Sequence, residues 1–375
     1  MNRIKELRDA IDDCDSELVS LIAKRQALVS ELSRAKAENR IPVQVSEREA
    51  EIKNRLLDLA NQQSVSSSLI IDIVQRIMRD SYRLQSQTSF SRATQNPMQI
   101  TIIGGLGQVG RLFVELFERS GHEVKVLDID DDLSLPMHYR SADLILLSVP
   151  FESFISNLQK LPQLNQTTIL ADLSSSKSEP VNKMLEFHAG PVIGLHPMFG
   201  PTLEHVAQQL IICSQGRHLD KCTWLIEQFR LWGCKVELLP AVQHDELMSY
   251  VQGARHLSAI VLGDLIMQNQ VDLSQLSRVS TPAFRLELAL MARLFTHHAE
   301  LYVDILLSST AHTEVLSQFS ECHAKWAHLL KAQDRQSMMN RFTEIAEFLY
   351  EFSPNLASSS QQVLDSFLDS TKFSE

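Results

Sequence analysis

Residues 98–128 read MQITIIGGLGQVGRLFVELFERSGHEVKVLD, and this stretch decides the fold of the central part of the chain. Residues 99–103 are typical of a buried strand, a glycine turn follows, and residues 111–120 have the apolar spacing of a helix. Residues 124–127 predict a second strand, which Asp128 closes. The order strand, glycine turn, helix, strand and acid gives the weak motif G-x-G-x-x-G a specific structural context.

The glycine turn and its acid predict a site for a dinucleotide. Gly105 permits the tight turn, Gly107 lets the backbone approach a pyrophosphate, and Gly110 lets the helix pack on its strand. The helix N-terminus offers free N–H groups to the phosphates. Asp128 would accept from the ribose hydroxyls and repel a 2′-phosphate, so NAD is favoured over NADP. Because the strand, turn, helix and second strand are all present, a glycine turn without a ligand is disfavoured. The expected cofactor-binding residues are Gly105, Leu106, Gly107, Gln108, Val109, Gly110 and Asp128.

Composition limits the classes of partner. The 375 residues favour two or three domains, and the net charge of −11 without a long basic run argues against nucleic acid. No apolar run reaches the length of a signal region or a membrane span, so we expect no membrane association. The five cysteines are scattered, which favours reduced thiols and a cytoplasmic location. No metal-ligand spacing occurs, and we expect no metal site.

The first 85 residues predict an all-helical domain. Apolar residues alternate at spacings of three and four, which predicts one helix over residues 4–39, roughly 50 Å long, followed by helices near 46–62 and 66–85. A domain of this size is too small to bury such a helix alone. We therefore expect a helical homodimer that shares its long helices.

One cation interrupts the apolar seam of the long helix. Arg25 stands where leucine or isoleucine is expected, and a buried guanidinium is costly unless it meets an anion. Arg8 and Lys36 flank the same seam about 42 Å apart along one helix, so they can share a ligand only across an antiparallel pair. The pattern predicts a cationic pocket in the dimer; the alternative is a set of surface cations on a coiled coil.

The N-terminal segment resembles the all-helical bacterial chorismate mutases. The resemblance covers the whole segment and lies in L-R-x-x-I-x-x-x-D (7–15), A-K-R (23–25), A-K (35–36), E-R-E (47–49) and D-S-x-x-x-Q (80–85). It implies a Claisen rearrangement of chorismate to prephenate. It places two arginines at the substrate carboxylates, Arg25 and the partner subunit's Arg8. It places Lys36 and Gln85 at the ether oxygen and Glu49 at the hydroxyl. Arg48 and Ser81 complete the site. Val45 departs from the aspartate of some of these mutases.

Residues 98–240 predict an α/β domain of the Rossmann type, joined to the helices by a polar linker over residues 86–97. Strands are expected at 142–149, 168–173 and 191–195, with two further candidates at 209–213 and 235–239. Since strands alternate with helices, a mostly parallel, doubly wound sheet follows, with ligands at the carboxyl ends of its strands.

Several polar residues stand at those carboxyl ends. Ser175, Lys177 and His196 each follow a predicted strand and can converge on one crevice. A histidine titrates near neutrality, so His196 is the candidate base that takes a hydroxyl proton while hydride leaves the same carbon. Ser148, Val149 and Pro150 end the predicted strand over 142–149, so they too lie where a ligand is expected.

Residues 241–375 have helical periodicity throughout and predict an all-α dimerisation and substrate domain. Helices are expected over 243–267, 282–295, 299–307, 313–332, 335–352 and near 361–367. Arg285 and Arg293 lie about two turns apart on one face, an arrangement that suits a dicarboxylate. The other ligand-type residues are His244, Gln252, Arg255 and His256.

The second part of the chain resembles prephenate dehydrogenase. The matching strings are G-G-x-G-Q-x-G-R, S-V-P (148–150), D-L-x-S-x-K (172–177), G-L-H-P-M-F-G-P, H-D (244–245) and R-L-E-L-A-x-x-x-R-L-F (285–295). With the mutase segment, the whole chain is similar to the bacterial bifunctional T-protein family. The resemblance implies NAD-dependent oxidative decarboxylation of prephenate to 4-hydroxyphenylpyruvate and feedback inhibition by L-tyrosine.

The resemblance also implies roles for individual residues. His196 would bond the ring hydroxyl of prephenate and accept its proton, with Ser175 assisting at the same hydroxyl. Arg293 would bind the ring carboxylate, and His256 would contact the substrate. Lys177 and Arg285 would support the binding of cofactor or substrate. Ser176 and Gly253 depart from the usual valine and alanine. Two other functions stay open from the residues alone: an NAD-dependent hydroxyacid dehydrogenase with a non-catalytic helical arm, and a non-catalytic NAD(H)-sensing regulator.

Overall fold

A computed structural model of the chain describes residues 2–296 and 299–370. The chain forms two compact units, Met1–His244 and Asp245–Glu375. The first contains the N-terminal helices and the sheet, and the second is helical. The finer division at residues 85, 97 and 240 stays a prediction.

Three helices form the N-terminal segment: α1 Asn2–Glu38, α2 Ser46–Gln62 and α3 Ser67–Ser86. Each predicted helix is confirmed to within two residues at either end. The second half of α1 packs against α3 and buries Val29 and Ser33. The first half, through residue 21, is exposed along its whole length, including the apolar side chains of Ile4 and Leu7. Within one protomer, half of the apolar seam therefore has no partner.

The sheet has seven strands in the order β2-β1-β3-β4-β5-β6-β7. Every neighbouring pair is parallel except β5 and β6, which are antiparallel. The mostly parallel sheet is confirmed, and both further candidate strands exist. The strands are β1 Gln99–Ile103, β2 Glu123–Leu127, β3 Leu144–Leu147, β4 Ile169–Asp172, β5 Val192–Pro197, β6 Leu210–Arg217 and β7 Lys235–Leu238; the helices between them are α4 Gln108–Arg119, α5 Phe151–Lys160, α6 Ser178–Phe187 and α7 Thr223–Leu231.

Two apolar cores cover the sheet, as expected of a doubly wound fold. One contains the aromatic cluster of Phe113, Phe117 and Trp232, and the other contains Phe154 on α5. Tyr82 of α3 and Val43 belong to the first of these cores. The N-terminal helices and the sheet therefore share one apolar core.

Residues 87–98 connect α3 to β1 without a helix or strand, and the middle of this segment is packed against the protein. Phe90 and Ser91 are buried. The Gln228 side chain donates to the Ser91 carbonyl (3.0 Å) and accepts from the Ala93 amide (2.9 Å). The polar composition therefore concealed a segment that a buried glutamine of α7 holds against the sheet domain.

The second unit begins within a helical stretch in which a π turn, Ser249–Ala254, joins α8 Ala241–Met248 to α9 Arg255–Gln268. A helix occupies each range predicted for this region, but the last one already begins at Ser353 rather than near residue 361. A short helix that the pattern did not show, α10 Leu273–Arg278, is added. The remaining helices are α11 Pro282–Phe295, α12 Ala299–Leu307, α13 Thr310–Ala332, α14 Arg335–Leu349 and α15 Ser353–Ser370. None of the described helices has the length and apolar character that crossing a bilayer requires.

Candidate active sites

A cavity of about 730 Å³ opens between the three N-terminal helices. It gathers six of the residues proposed for this site from the sequence, which are Arg25, Lys36, Arg48, Glu49, Ser81 and Gln85. Arg55 lines the same cavity, so four cations face one carboxylate. The excess positive charge suits a small dianion.

Arg25 enters this cavity from the helix seam. Its guanidinium donates to Ser81 Oγ (2.5 Å), and the Ser81 hydroxyl donates to the carbonyl of Ile77 (2.7 Å). Burial lowers the pKa of Arg25, and the nearby Asp80 carboxylate opposes that shift. Arg25, whose burial in the apolar seam was expected to be costly, is therefore a half-buried cation that needs an anion.

Lys36 and Glu49 line the same cavity, and their opposite charges interact. Lys36 Nζ donates to the Val43 carbonyl (2.8 Å), and burial lowers its pKa. Burial raises the pKa of Glu49, while the charge of Lys36 works in the other direction. The Tyr82 hydroxyl donates to Glu49 Oε1.

Gln85 supplies an uncommitted polar atom to the cavity. Its Nε2 donates to the Ser81 carbonyl (3.2 Å). Its Oε1 is buried and has no hydrogen-bond partner among the residues that the structure describes. An orphaned buried amide oxygen is costly unless a ligand or water meets it, so this atom marks a place for one.

Two residues of this site were missed from the sequence. Tyr82 occupies a variable position of D-S-x-x-x-Q, and Arg55 lies outside every motif. The helical period alone could have found Arg55, since it lies two turns after Arg48 on α2. Arg8 lies on the exposed half of α1 and does not line the cavity of its own protomer.

The glycine turn has the shape that a pyrophosphate requires. Gly107 precedes the first turn of α4, and a Cβ on Gly110 would lie 2.2 Å from the Gly104 carbonyl oxygen. The left-handed backbone belongs to Gly104, with φ of 79°, rather than to Gly105 as the motif suggested. A Cβ on Gly105 would instead meet Val126 at 2.8 Å. Gly105 is therefore needed for close packing on β2, and Gly104 makes the turn.

Asp128 lies beside this turn at the end of β2. Its Oδ2 accepts from the Leu106 amide (2.8 Å) and its Oδ1 from the Ile129 amide (2.9 Å). Ser148, Val149 and Pro150 follow β3, the neighbour of β1, and a Cβ on Gly104 would lie 2.2 Å from the Ser148 carbonyl oxygen. The residues proposed for the cofactor therefore meet at one edge of the sheet, and the missing Cβ atoms leave a cradle that fits a dinucleotide.

His196 lies near the end of β5, and its ring is paired with another histidine. Nδ1 of His196 is 2.8 Å from Nε2 of His244, and both side chains are buried. His244 was recognised from the sequence as a ligand-type residue but was not placed in the site. The pairing could not be found from the sequence, because it joins positions far apart in the chain.

Ser175 and Lys177 follow β4 as expected, but they differ in exposure. Ser175 is half-buried. Lys177 is fully buried, where its ammonium meets Asp172 Oδ2 (2.5 Å) and the Leu195 carbonyl (2.9 Å). Lys177 thus joins the end of β4 to β5 at Leu195, the residue before His196. Its role at the cofactor stays a prediction.

The remaining candidates belong to the second unit. Arg285 and Arg293 both lie on α11, where Arg285 Nε donates to the Ser280 carbonyl (3.1 Å) and Arg293 is exposed. His256 is the second residue of α9, the helix after the π turn, and its ring lies 5.0 Å from that of Tyr302. Burial lowers the pKa of His256 to about 4, so its ring is neutral near pH 7.

Three family models match successive parts of the chain. Residues 7–86 match the chorismate mutase type II family, residues 119–210 match the prephenate dehydrogenase nucleotide-binding domain, and residues 240–344 match the prephenate dehydrogenase dimerization domain. The T-protein of Haemophilus influenzae is 35% identical over 97% of this chain and 97% of its own. The T-protein of Enterobacter agglomerans is 34% identical over 97% of this chain and 98% of its own.

A solved structure shares the fold of about two thirds of the chain. The prephenate dehydrogenase of Aquifex aeolicus, solved in complex with hydroxyphenyl propionate and NAD+, superposes with a TM-score of 0.56. It is 17% identical, and the match covers 69% of this chain and 100% of that one.

Proposed function

The chain belongs to the T-protein family, bifunctional enzymes of tyrosine biosynthesis with a chorismate mutase and a prephenate dehydrogenase domain, and we propose how its residues divide the two reactions. The N-terminal helices convert chorismate to prephenate. The following domains oxidise and decarboxylate prephenate to 4-hydroxyphenylpyruvate with NAD. The observation that carries the assignment is the gathering of Arg25, Lys36 and Glu49, with their three motif partners, in one cavity.

The first reaction needs no covalent intermediate. Chorismate must be held in a compact conformer, and its ether oxygen gains negative charge as the C–O bond breaks. Arg25 binds a carboxylate, Glu49 accepts the substrate hydroxyl, and Arg48 and Ser81 complete the binding site. Lys36 and Gln85 lie at the ether oxygen, where the Lys36 ammonium stabilises the developing charge.

The partner subunit's Arg8 closes this site in a homodimer. The support for it is the exposed half of α1, with its unpartnered apolar side chains, together with the length of the helix. An antiparallel pair of such helices buries the seam and brings the N-terminus of each next to the cavity of the other. The match of the last domain to a dimerization domain agrees with this assembly.

The second reaction takes place at the carboxyl ends of the strands. When bound, NAD accepts the hydride that leaves the carbinol carbon of prephenate. The turn at Gly104 to Gly110 and the N-terminus of α4 hold the pyrophosphate, and Asp128 binds the ribose and excludes a 2′-phosphate. Ser148, Val149 and Pro150 line the cofactor side.

His196 takes the proton of the substrate hydroxyl, and carbon dioxide leaves as the ring becomes aromatic. His244 orients the ring of His196 through the hydrogen bond between them. Ser175 assists at the hydroxyl. Arg293 binds the ring carboxylate, and Arg285 and His256 support the substrate in the helical unit.

We also propose a cytoplasmic enzyme that L-tyrosine inhibits by feedback. The support is the family and the scattered free cysteines. Inhibition is tested by titrating L-tyrosine into both assays, and the absence of an effect on both reactions would contradict it.

The division of labour is tested with the purified wild-type protein and each substrate separately. Prephenate should form from chorismate without NAD, and NADH should form from prephenate with NAD. If NADH forms from prephenate but chorismate is not consumed, the N-terminal helices are a non-catalytic arm. If neither substrate reacts while NAD binds, the chain is a regulator.

A further inference from the structure

A segment of the dehydrogenase domain packs against the mutase site. Residues 198–209 follow β5, the strand that carries His196. In this segment the Glu204 carbonyl accepts from Ser86 Oγ (3.5 Å), and the His205 ring lies 6.0 Å from that of Tyr82. Val206 and Ala207 are buried in the same core as Tyr82. The mutase helices therefore do not form this side of their site alone.

Gln208 ends the packed segment and reaches a residue of the mutase cavity. Its Nε2 donates to Glu49 Oε2 at 3.4 Å, while the Tyr82 hydroxyl donates to Oε1 of the same carboxylate. One carboxylate oxygen of Glu49 thus accepts a hydrogen bond from the N-terminal helices, and the other accepts one from the sheet domain. Donors on both oxygens fix the plane of a carboxylate better than a donor on one of them.

The backbone of Gln208 is unusual for its residue type. Its φ is 68°, in the left-handed region that favours glycine, and its amide donates to the Gly233 carbonyl (2.8 Å). Glycine would adopt this conformation at lower cost. A longer side chain at a left-handed position next to a catalytic pocket suggests that the side chain has a function.

The electrostatic surroundings of Glu49 come from both domains. Burial has the largest effect on the pKa of its carboxyl and raises it. Hydrogen bonds from Gln44 and Gln208 lower that pKa, as do the charges of Lys235 on β7 and Lys36 on α1. The Tyr82 hydroxyl faces it from α3. The contact from Gln208 therefore favours the ionised form that accepts a substrate hydroxyl.

We propose that Gln208 is a positioning residue of the mutase site, whose amide holds the Glu49 carboxylate in the orientation that receives the hydroxyl of chorismate. This rests on the proposed mutase function and on the role of Glu49 in it. Gln208 does not line the cavity and acts only through Glu49. The dehydrogenase domain thereby contributes a side chain to the rearrangement that precedes its own reaction.

The test compares Gln208→Gly and Gln208→Leu with wild type. Glycine removes the amide and relaxes the backbone, whereas leucine removes the amide and keeps the strain. Both should lower mutase kcat/KM about three- to tenfold, the range expected for one long, exposed hydrogen bond to a charged group. In both, the acid limb of the pH profile should move to higher pH, because the lost donor favoured ionised Glu49. Turnover of prephenate should be unchanged.

Two comparisons make the outcome decisive. Gln209→Ala removes the adjacent amide and should leave mutase kinetics at the wild-type level. Wild-type kinetics in Gln208→Gly, a loss in Gln208→Leu alone, or a loss without the pH shift would each overturn the proposal. Glu49→Gln separates the levels of failure: if it loses mutase turnover while Gln208→Gly does not, only the role of Gln208 is wrong, whereas a wild type without mutase turnover contradicts the proposed function.

Discussion

Nδ1 of His196 and Nε2 of His244 lie 2.8 Å apart, with the two rings inclined at 67°. Such a contact needs one N–H and one lone pair, so it fixes the tautomer of each ring in relation to the other. When His196 donates through Nδ1, its Nε2 carries the lone pair that a general base requires. This is the tautomer that the proposed role of His196 as proton acceptor needs.

The first prediction concerns this pair. His244→Leu should lower dehydrogenase kcat about a hundredfold, because His196 loses the group that orients it, as when the orienting acid of a catalytic triad is removed. His244→Gln, which retains an acceptor, should recover part of the rate. Steady-state assays with prephenate and NAD measure both. Unchanged kcat in His244→Leu would show that the pair has no role in catalysis, and mutase turnover serves as the control for folding.

The second prediction concerns cofactor choice. Asp128→Ala should lower the preference for NAD over NADP about 10- to 100-fold, because the carboxylate that meets the ribose and repels a 2′-phosphate is gone. The ratio of the two kcat/KM values, measured with prephenate, reports this change. Asp131→Ala is the matched control, since its carboxylate accepts from the Asp128 amide at the same loop and carries equal charge. If the preference for NAD changes equally in both variants, the negative charge of the loop determines it rather than a contact of Asp128.

The third prediction concerns the buried ion pair of Lys177 and Asp172. Both side chains are fully buried, and removing one partner leaves an uncompensated charge. Lys177→Met should therefore lower the free energy of unfolding by about 3–5 kcal/mol. The double variant with Asp172→Leu should recover much of the loss. Urea denaturation followed by circular dichroism measures both, and a single variant as stable as wild type would contradict the structural role of the pair.

The fourth prediction concerns the shared mutase site. Arg8→Ala and Arg25→Ala should each reduce mutase turnover at least about a hundredfold, since each removes a charge-assisted hydrogen bond to a substrate carboxylate. When the two variants are coexpressed, half of the dimers are mixed and one of their two sites is intact, so about a quarter of wild-type activity should return. No recovery in isolated mixed dimers would contradict the contribution of Arg8 across the subunit interface.

Local pattern predicted much of the fold and of the mutase site. The alternation of apolar residues was sufficient to predict α1, because the apolar stripe repeats at helical spacing along the helix. Arg25 was recognisable because it breaks that period. The residue that makes the glycine turn was wrong by one position, since two adjacent glycines satisfy the motif and only the backbone distinguishes Gly104 from Gly105.

Contacts between distant segments account for what the sequence could not show. Residues 90–91 look like part of a polar linker, but tertiary contacts bury them. Phe90 belongs to the core that contains Trp232, and the Ser91 carbonyl accepts from Gln228 on α7. The contacts of Glu49 with Tyr82 and Gln208 likewise depend on how the helices pack on the sheet. No local pattern reports such a pairing, because it is determined by tertiary packing.

The central claim, that one chain carries both reactions at separate sites, is tested most directly by NADH formation from chorismate in three proteins. Wild type should form NADH from chorismate and NAD without added prephenate. Arg25→Ala should form NADH only when prephenate is supplied, and His196→Asn should accumulate prephenate, bind NAD and form no NADH. If Arg25→Ala oxidises chorismate at the wild-type rate, or if His196→Asn still forms NADH from prephenate at that rate, the assignment of the two sites is wrong.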